Sequence, residues 1–260
     1  MSSAANARFK FLQSLEKSKQ RKALSLTAVE GLKEIEMAIE GACQVEQIFF
    51  DDAIADKMML QRLVKTYPDA DIFSISSDLF AKVSYRETTG GIIVVVKTKV
   101  HTPDSLQLGK TPLILIVEGV EKPGNLGAIL RTADAAAIDA VICCDLPGDI
   151  YNPNIIRASL GTVFTVPLVV TDNATAMQWL KSAGVTTFCS NLHKATDYFE
   201  QDYTGACAIV VGTEATGVSE AWQQFADANV KVPMLGKIDS MNVSVAAAIM
   251  LYEARRQRGY

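Results

Sequence analysis

The sequence has few of the features that define membrane, secreted and metal-binding proteins. Its longest apolar runs, such as 206–212 and 245–252, are far shorter than the roughly 20 residues that cross a bilayer. The polar N-terminus lacks the apolar segment of a secretion signal, so we expect a cytoplasmic protein without a membrane partner. The five cysteines form no CxxC pair and only two histidines are present. We therefore expect neither a disulfide framework nor a metal site.

Three common ligand-binding and catalytic motifs are also absent. The chain contains no G-x-G-x-x-G, no G-x4-G-K-[ST] and no G-x-S-x-G segment, which disfavours dinucleotide-binding, P-loop and serine-hydrolase functions. What is present is a chain of 260 residues with 49% apolar side chains. This composition predicts a folded protein with one large or two ordinary domains.

The distribution of charge matters more than its sum. A formal charge of −4 argues against a nucleic-acid partner. Residues 1–33, which we call the basic arm, nevertheless hold seven basic and two acidic residues, a local charge of +5 that leaves −9 for the rest. Because Phe9, Leu12 and Leu15 form an amphipathic stripe, the arm is either a solvated basic helix or an electrostatic contact for an anionic polymer.

Alternating apolar runs and helical periodicity predict an α/β protein with two domains. Residues 1–97 form the basic arm and a small α/β domain, 98–111 a linker, and 112–260 a second α/β domain with a mostly parallel sheet. The predicted strands are 23–29, 45–51, 71–75, 91–97, 113–117, 140–144, 167–170, 186–190, 208–211 and 230–233. The predicted helices are 32–39, 57–64, 126–136, 154–160, 174–182, 219–226 and 243–256.

The first segment with chemical potential joins the strand 113–117 to the following helix. Pro123, Gly124, Asn125 and Gly127 occupy this turn, and Arg131 follows inside the helix. A strand-to-helix turn of an open α/β sheet is where backbone donors and side chains meet ligands. The residues alone leave open whether Asn125 is only a helix cap and Arg131 only a surface cation.

Two further segments concentrate glycine and polar residues beside helices. In 209–219 a strand runs into Gly212, followed by Glu214 and Gly217, a pattern that suits either a ligand at the backbone or a tight turn with an exposed acid. In 232–246, Ser240, Asn242 and Ser244 precede an alanine-rich helix. Helix capping needs only one of these three groups, so the excess points to a further role.

Together, these three segments resemble the SpoU, or TrmH, family of RNA ribose 2′-O-methyltransferases in the SPOUT superfamily. The family's N-x-G-x3-R pattern matches Asn125 and Arg131, its Gly-x-Glu-x2-Gly pattern matches 212–217, and its third motif matches 232–234 and 240–246. The segment 151–161 is similar to the family's stretch around Arg157 and Ser159. The N-terminal part is similar to the family's L30e-like domain at 29–31, and 89–91 departs from the usual Pro-Gln-Gly.

The resemblance implies a SPOUT domain with a deep trefoil knot, an L30e-like substrate-binding domain and a homodimer. It implies S-adenosyl-L-methionine as cofactor, no metal, and structured RNA as substrate, with ribosomal RNA favoured over tRNA. The catalytic residues it implies are Asn125, Arg131, Glu214, Ser240 and Asn242. The cofactor-binding residues are Gly212, Thr213, Gly217, Val232, Leu235 and Met241. The expected RNA-binding residues are Lys17, Lys19, Arg21, Lys22 and Arg157.

Two alternatives come from other classes of protein. An RNA-binding assembly factor could keep this fold without turnover, although the intact polar positions of all three motifs argue against it. A class I Rossmann methyltransferase would need a Gly-rich loop after its first strand, and the glycine spacing here is different.

Overall fold

The computed structural model describes residues 3–85, 90–99, 101–192, 195–213 and 216–259. Its helices are α1 (Ala7–Ser14), α2 (Ser18–Leu24), α3 (Leu32–Glu40), α4 (Lys57–Thr66), α5 (Ser77–Val83), α6 (Pro123–Ala135), α7 (Pro153–Ala158), α8 (Asn173–Ala183), α9 (Glu220–Phe225) and α10 (Val243–Arg258). Its strands are β1 (Leu26–Glu30), β2 (Val45–Phe50), β3 (Asp71–Ser74), β4 (Ile92–Lys97), β5 (Leu113–Glu118), β6 (Ala140–Cys144), β7 (Leu168–Thr171), β8 (Thr186–Ser190), β9 (Thr196–Asp197), β10 (Cys207–Val211) and β11 (Ala228–Lys231). Among these residues, no helix combines the length and apolar character that a membrane crossing requires.

The chain divides into two compact units. The N-terminal unit contains Met1–Lys99 together with Asp149–Thr165, and the C-terminal unit contains Val100–Gly148 together with Val166–Tyr260. The segment 149–165, which the sequence-based boundaries place in the second domain, thus packs with the first. In the segment 98–111, Leu106 and Leu108 pack against the C-terminal core.

The N-terminal unit is built on a four-stranded sheet in the order β1-β4-β2-β3. Strand β4 is antiparallel to both β1 and β2, whereas β2 and β3 are parallel. The first five residues of β4, from Ile92 to Val96, are all buried. Helix α1 contributes Phe9 and Leu12 to the core on one face of this sheet, which confirms the amphipathic stripe predicted for the basic arm.

The C-terminal unit is built on a seven-stranded sheet in the order β7-β6-β5-β10-β8-β11-β9. Every strand pair within the described residues of this sheet is parallel. Strands β5, β6 and β10 are buried along their whole length, as expected for continuous apolar runs between two layers of helices. The predicted parallel α/β architecture is therefore confirmed.

The structure corrects the predicted elements in four places. Helix α6 begins at Pro123 rather than at 126, so the predicted turn that contains Asn125 is the first turn of this helix. Ala23 and Leu24 end helix α2 rather than begin a strand, because Ser25 adopts a left-handed conformation with φ 52° that stops the helix before β1. Helix α5 and strand β9 were not predicted, since a helix of seven residues and a strand of two are too short to show a clear period.

Candidate functional site

The three segments that resemble the family's motifs lie in the C-terminal unit, directly after β5, β10 and β11. Strands β5 and β10 are parallel neighbours, so their carboxyl ends lie at the same edge of the sheet. In an open α/β sheet this edge is where ligands bind. The topology therefore brings the first two segments to one place, and the cavity described below includes the third.

The turn after β10 is shaped by its two glycines. The amide of Thr213 donates to the carbonyl of Gly217 at 3.1 Å, and the Gly217 amide donates back to Thr213 at 2.9 Å. A Cβ atom on Gly212 would overlap the Gly217 carbonyl oxygen, and Gly217 has a φ of 68°. The need for glycine at both positions thus comes from the turn's own backbone. Glu214, the predicted carboxylate of this turn, lies outside the described residues.

A cavity of about 340 Å³ opens between this turn and the connection from β11 to α10. Of the predicted cofactor-binding residues, Gly212, Thr213, Gly217, Val232 and Met241 line it, as does the predicted catalytic Ser240. Leu235 is 96% exposed and is not among the lining residues. The third segment therefore contributes more to the cavity than the other two.

Sequence reasoning missed a polar pair in the cavity wall. Asn191 directly follows β8, and its Nδ2 donates to Oε1 of Gln223 on α9 at 2.9 Å. Gln223 Nε2 in turn donates to the Val218 carbonyl at 2.7 Å. Because Asn191 follows the carboxyl end of a predicted parallel strand, the rule that such ends carry binding residues could have identified it.

A hydrogen bond joins the first and third segments. Asn242 Nδ2 donates to Asn125 Oδ1 at 3.1 Å, across 117 positions of sequence. Asn242 is also the N-cap of α10, where its Oδ1 accepts from the Ser244 amide at 3.0 Å and from the Ser244 hydroxyl at 2.6 Å. One of the excess polar groups is thus a cap, and it also ties two segments together.

The remaining predicted catalytic residues lie at the surface. Arg131 is exposed on α6, eight residues after that helix begins. Ser240 is exposed, and its hydroxyl donates to Oδ1 of Asp239 at 3.2 Å. Both side chains can therefore meet a ligand that approaches from solvent.

A buried carboxylate forms a hydrogen bond to the residue that follows the turn after β10. Glu118 ends β5 and is 7% exposed. Its Oε2 accepts from the Ser219 amide at 2.7 Å, and its Oε1 accepts from Asn173 Nδ2 at 2.7 Å. Asn173 Oδ1 accepts in turn from the indole nitrogen of Trp222 at 2.6 Å. Both carboxylate oxygens are thus used to fix the starts of α8 and α9.

The predicted RNA-binding residues belong to the N-terminal unit, and Arg21 requires a correction. Lys17, Lys19 and Lys22 are exposed, but Arg21 is 3% exposed. Its Nε donates to Asp149 at 2.7 Å, and its Nη1 donates to the carbonyls of residues 15 and 16. A buried guanidinium with internal acceptors is not available to a phosphate, so Arg21 has a structural role.

Arg157 lies on α7 in the same unit and is half-buried. Its Nη2 donates to Oδ1 of Asn154 at 2.7 Å.

Among the residues that the structure covers, no group of three or more histidine, cysteine, aspartate or glutamate side chains is arranged to hold a metal ion.

Comparison with protein families gives two matches that together cover most of the chain. Residues 112–252 match the model of the SpoU rRNA methylase family. Residues 6–94 match that of the MRM3-like substrate-binding domain. The first range contains all three segments around the cavity, and the second contains the sheet of the N-terminal unit.

Individual relatives match over nearly the full length. The 23S rRNA (guanosine(2553)-2′-O)-methyltransferase RlmP of Bacillus subtilis (strain 168) is 32% identical over 253 residues, which cover 97% of this chain and 98% of that protein. The crystal structure of an RNA 2′-O ribose methyltransferase is 34% identical, covers 99% of this chain and 98% of its own, and has a TM-score of 0.85.

A third similar structure was determined with a cofactor. The SpoU methyltransferase AviRb from Streptomyces viridochromogenes, in complex with AdoMet, is 28% identical and covers 97% of this chain and 98% of its own, with a TM-score of 0.89. With the three segments gathered at one edge of a parallel sheet and the family match spanning them, the resemblance inferred from the sequence is confirmed: the chain belongs to the SpoU rRNA methylase family.

Proposed function

We propose that this protein transfers a methyl group from S-adenosyl-L-methionine to a ribose 2′-hydroxyl of structured RNA, with ribosomal RNA favoured over tRNA. The observation that carries the proposal is the cavity beside the turn after β10, which the family's second and third motifs line together. The 23S rRNA substrate named for the Bacillus relative supports the choice of RNA.

The cavity suits a cofactor of nucleoside size. Its volume of about 340 Å³ lies within the roughly 300–1,000 Å³ of small-molecule sites. Apolar side chains such as Val218 and Met241 would cover a planar base, and the hydroxyls of Thr213 and Ser240 offer partners for ribose. The carboxylate of Asp239 also lines the cavity, which favours a ligand with positive charge. The AdoMet complex of AviRb supports this assignment.

When bound, S-adenosyl-L-methionine supplies an electrophilic methyl group, and the protein's task is to align and stabilise the attacking oxygen. Guanidinium groups stay protonated in proteins and so do not act as bases. We therefore assign the exposed guanidinium of Arg131 to clamp an RNA phosphate and stabilise the developing alkoxide. Asn125 and Asn242 hold the ribose and keep the first and third segments together. Ser240 contacts the ligand beside them. Glu214 orients the neighbouring side chains of the site.

RNA contact in the N-terminal unit is assigned to Lys17, Lys19, Lys22 and Arg157. The three lysines are exposed and close in sequence, which suits phosphate contacts that depend on charge rather than on sequence. The deep trefoil knot and a cytoplasmic location are part of the same proposal.

A homodimer also belongs to the proposal. On α10, Val245 is 48% exposed and Tyr252 is 42% exposed. They are seven residues apart, so they lie on one face of the helix, two turns from each other. A second copy of the chain would remove this apolar face from water.

The test is methyl transfer to total RNA from cells that lack the protein. We expect the purified protein to incorporate radiolabel from the labelled methyl donor, and primer extension to locate a single 2′-O-methyl site that is missing from the deletion strain. An Arg131→Lys variant should lose most of the transfer. RNA binding without any incorporation would instead favour the inactive assembly factor.

A further inference from the structure

Glu34 is a carboxylate residue buried in the N-terminal unit. It lies in the first turn of α3 and is 4% exposed. Its carboxylate makes no hydrogen bond or ion pair with another described residue. Neither of its oxygens is among the fully buried side-chain atoms that lack a partner, so the carboxylate faces open space. The position near the helix N-terminus stabilises its negative charge.

Glu34 lines a cavity that lies within this unit. The measured volume is about 40 Å³, and Leu15, Val83 and Ile156 form apolar walls. This volume holds about three water-sized spheres, enough for the edge of a planar ring rather than a whole ring. Glu30 lines the cavity as well, with both carboxylate oxygens accepting from the Tyr85 amide at 2.8 and 3.0 Å. The interior is therefore rich in acceptors and flanked by apolar surface.

Two flat side chains are among the residues that line the cavity. Tyr85 is 47% exposed and Arg157 is half-buried, and both line the cavity. Unpaired RNA bases bind proteins by stacking on aromatic rings or guanidinium planes while their edges form hydrogen bonds. The flat side chains and the carboxylates that line this cavity can supply both kinds of contact.

We propose that this cavity binds the amino edge of an unpaired guanine in the substrate RNA, an inference that rests on the RNA substrate proposed above. An ionised carboxylate only accepts hydrogen bonds, so Glu34 selects a ligand that donates. Guanine presents its N1–H and its exocyclic amino group side by side, whereas uracil presents a single N3–H. Guanine can therefore satisfy both oxygens of one carboxylate.

A cationic side chain of another protein would also donate to Glu34, but the surroundings favour RNA. Arg157 lines the cavity and can pair with a phosphate, a group that a cationic peptide does not offer. Glu16, which lines the cavity, is followed directly by the exposed Lys17. These cations attract the phosphates on either side of an inserted base.

The experiment measures binding of short single-stranded RNAs to the full chain by fluorescence anisotropy. The probes are a labelled uridine pentamer, the same pentamer with guanosine at its centre, and a third with inosine there. Inosine keeps N1–H but lacks the amino group. We expect guanosine to bind roughly 5- to 150-fold more tightly than uridine, the range for a bidentate base contact, with inosine between them.

A Glu34→Gln variant should lose most of the preference for guanosine. The NH2 group of the glutamine would face an N–H group of the guanine, and two donors cannot form a hydrogen bond. Glu40→Gln, an exposed position on the same helix, is the matched control and should keep the preference. Thermal melting checks that both variants fold, and the inosine comparison needs no variant at all.

Equal affinity of the wild-type protein for all three pentamers would overturn the proposal. Displacement of the guanosine pentamer by a Gly-Arg-Gly peptide, with no difference between guanosine and inosine, would overturn it in favour of a protein ligand. Methyl transfer by the same preparation is scored separately. Methyl transfer without a guanosine preference would overturn the guanine site and leave the proposed function intact. A guanosine preference without methyl transfer would overturn the proposed function and leave the guanine site intact.

Discussion

At the scale of single residues, Asn242 combines a cap with a link between two connections. Its Oδ1 accepts at the start of α10, and its Nδ2 reaches Asn125. Replacing either asparagine by alanine removes the link, but only the change at Asn242 also removes the cap. The two substitutions therefore separate the two roles of one side chain.

We expect Asn125→Ala and Asn242→Ala to reduce methyl transfer to a similar extent, because each breaks the same hydrogen bond. Asn242→Ala should in addition lower the free energy of unfolding by about 0.5–2 kcal/mol, the usual effect of losing an N-cap. The measurements are single-turnover methyl transfer and urea denaturation. Equal stability of the two variants would contradict the capping role.

The sequence predicted these residues but not how they are connected. Motif order and residue type marked Asn125 and Asn242, whereas the bond between them depends on how the first turn of α6 meets the N-cap of α10, which no periodicity describes. Arg21 shows the opposite limit, since a basic residue in a basic segment gives no sign that its partner is Asp149, 128 positions later.

At the scale of secondary-structure elements, Glu118 connects β5 to the starts of α8 and α9. Glutamine has only one acceptor oxygen, so Glu118→Gln leaves a donor facing either the Ser219 amide or the Asn173 amide group. The free energy of unfolding should fall by about 1–3 kcal/mol. Because Ser219 follows the turn at Gly212–Gly217, KM for S-adenosyl-L-methionine should rise more than KM for RNA.

A second substitution tests the geometry of this network. In Glu118→Gln combined with Asn173→Asp, the glutamine amide donates to the new carboxylate and its oxygen accepts from Ser219, so stability and cofactor KM should recover. Glu121→Gln, three residues along the chain and exposed, is the control for the charge change. A double variant no better than the single one would contradict the assigned bonds.

The basic arm contains helices α1 and α2, and its exposed lysines give a salt-dependent prediction. Changing Lys17, Lys19 and Lys22 to glutamine should weaken RNA binding and reduce the slope of log K against log salt by roughly 2–3. The control changes three other exposed lysines, Lys65, Lys110 and Lys181, with the same loss of charge. An equal effect of both sets in a salt titration would argue against a localised arm.

The strands and long helices of both units were predictable from the sequence. Buried parallel strands are continuous apolar runs, and the apolar residues of amphipathic helices repeat every 3.6 residues. The residues at which helices and strands end were harder to predict. Ser25 stops α2 through its backbone conformation, a property that residue type does not reveal.

At the scale of the whole molecule, the exposed face of α10 predicts the state of assembly. We expect a dimer in sedimentation velocity, and a monomer after Val245→Glu combined with Tyr252→Glu, because two buried charges oppose association. Met58→Glu, at an 83% exposed apolar position on α4, is the control. A dimer that survives the paired change would assign the interface elsewhere.

The cysteines give a second prediction for the molecule as a whole. All five are buried, and burial raises the pKa of Cys143 and of Cys189 to about 12. Since the thiolate is the reactive form, a disulfide reagent at pH 8 should label none of them in the folded protein and five in denaturant. A Lys110→Cys variant should show one fast thiol.

The same pKa values fix the sign of the pH dependence. The folded state holds these thiol protons more tightly than the unfolded chain, whose cysteines have a pKa of about 8.5. Their contribution to stability is therefore complete below about pH 8.5 and is lost as the pH rises toward 12. Chemical denaturation at a series of alkaline pH values measures this loss.

The segment Asp149–Thr165 has a consequence for how the protein is made. Because it completes the N-terminal unit, that unit cannot finish folding when its first 99 residues leave the ribosome. The ion pair of Arg21 forms only after Asp149 has been translated. At a translation rate of roughly 5–20 residues per second, Asp149 is added roughly 6–26 s after Arg21. The N-terminal unit is therefore synthesised first but completed only after β5, α6 and β6 of its neighbour have been translated.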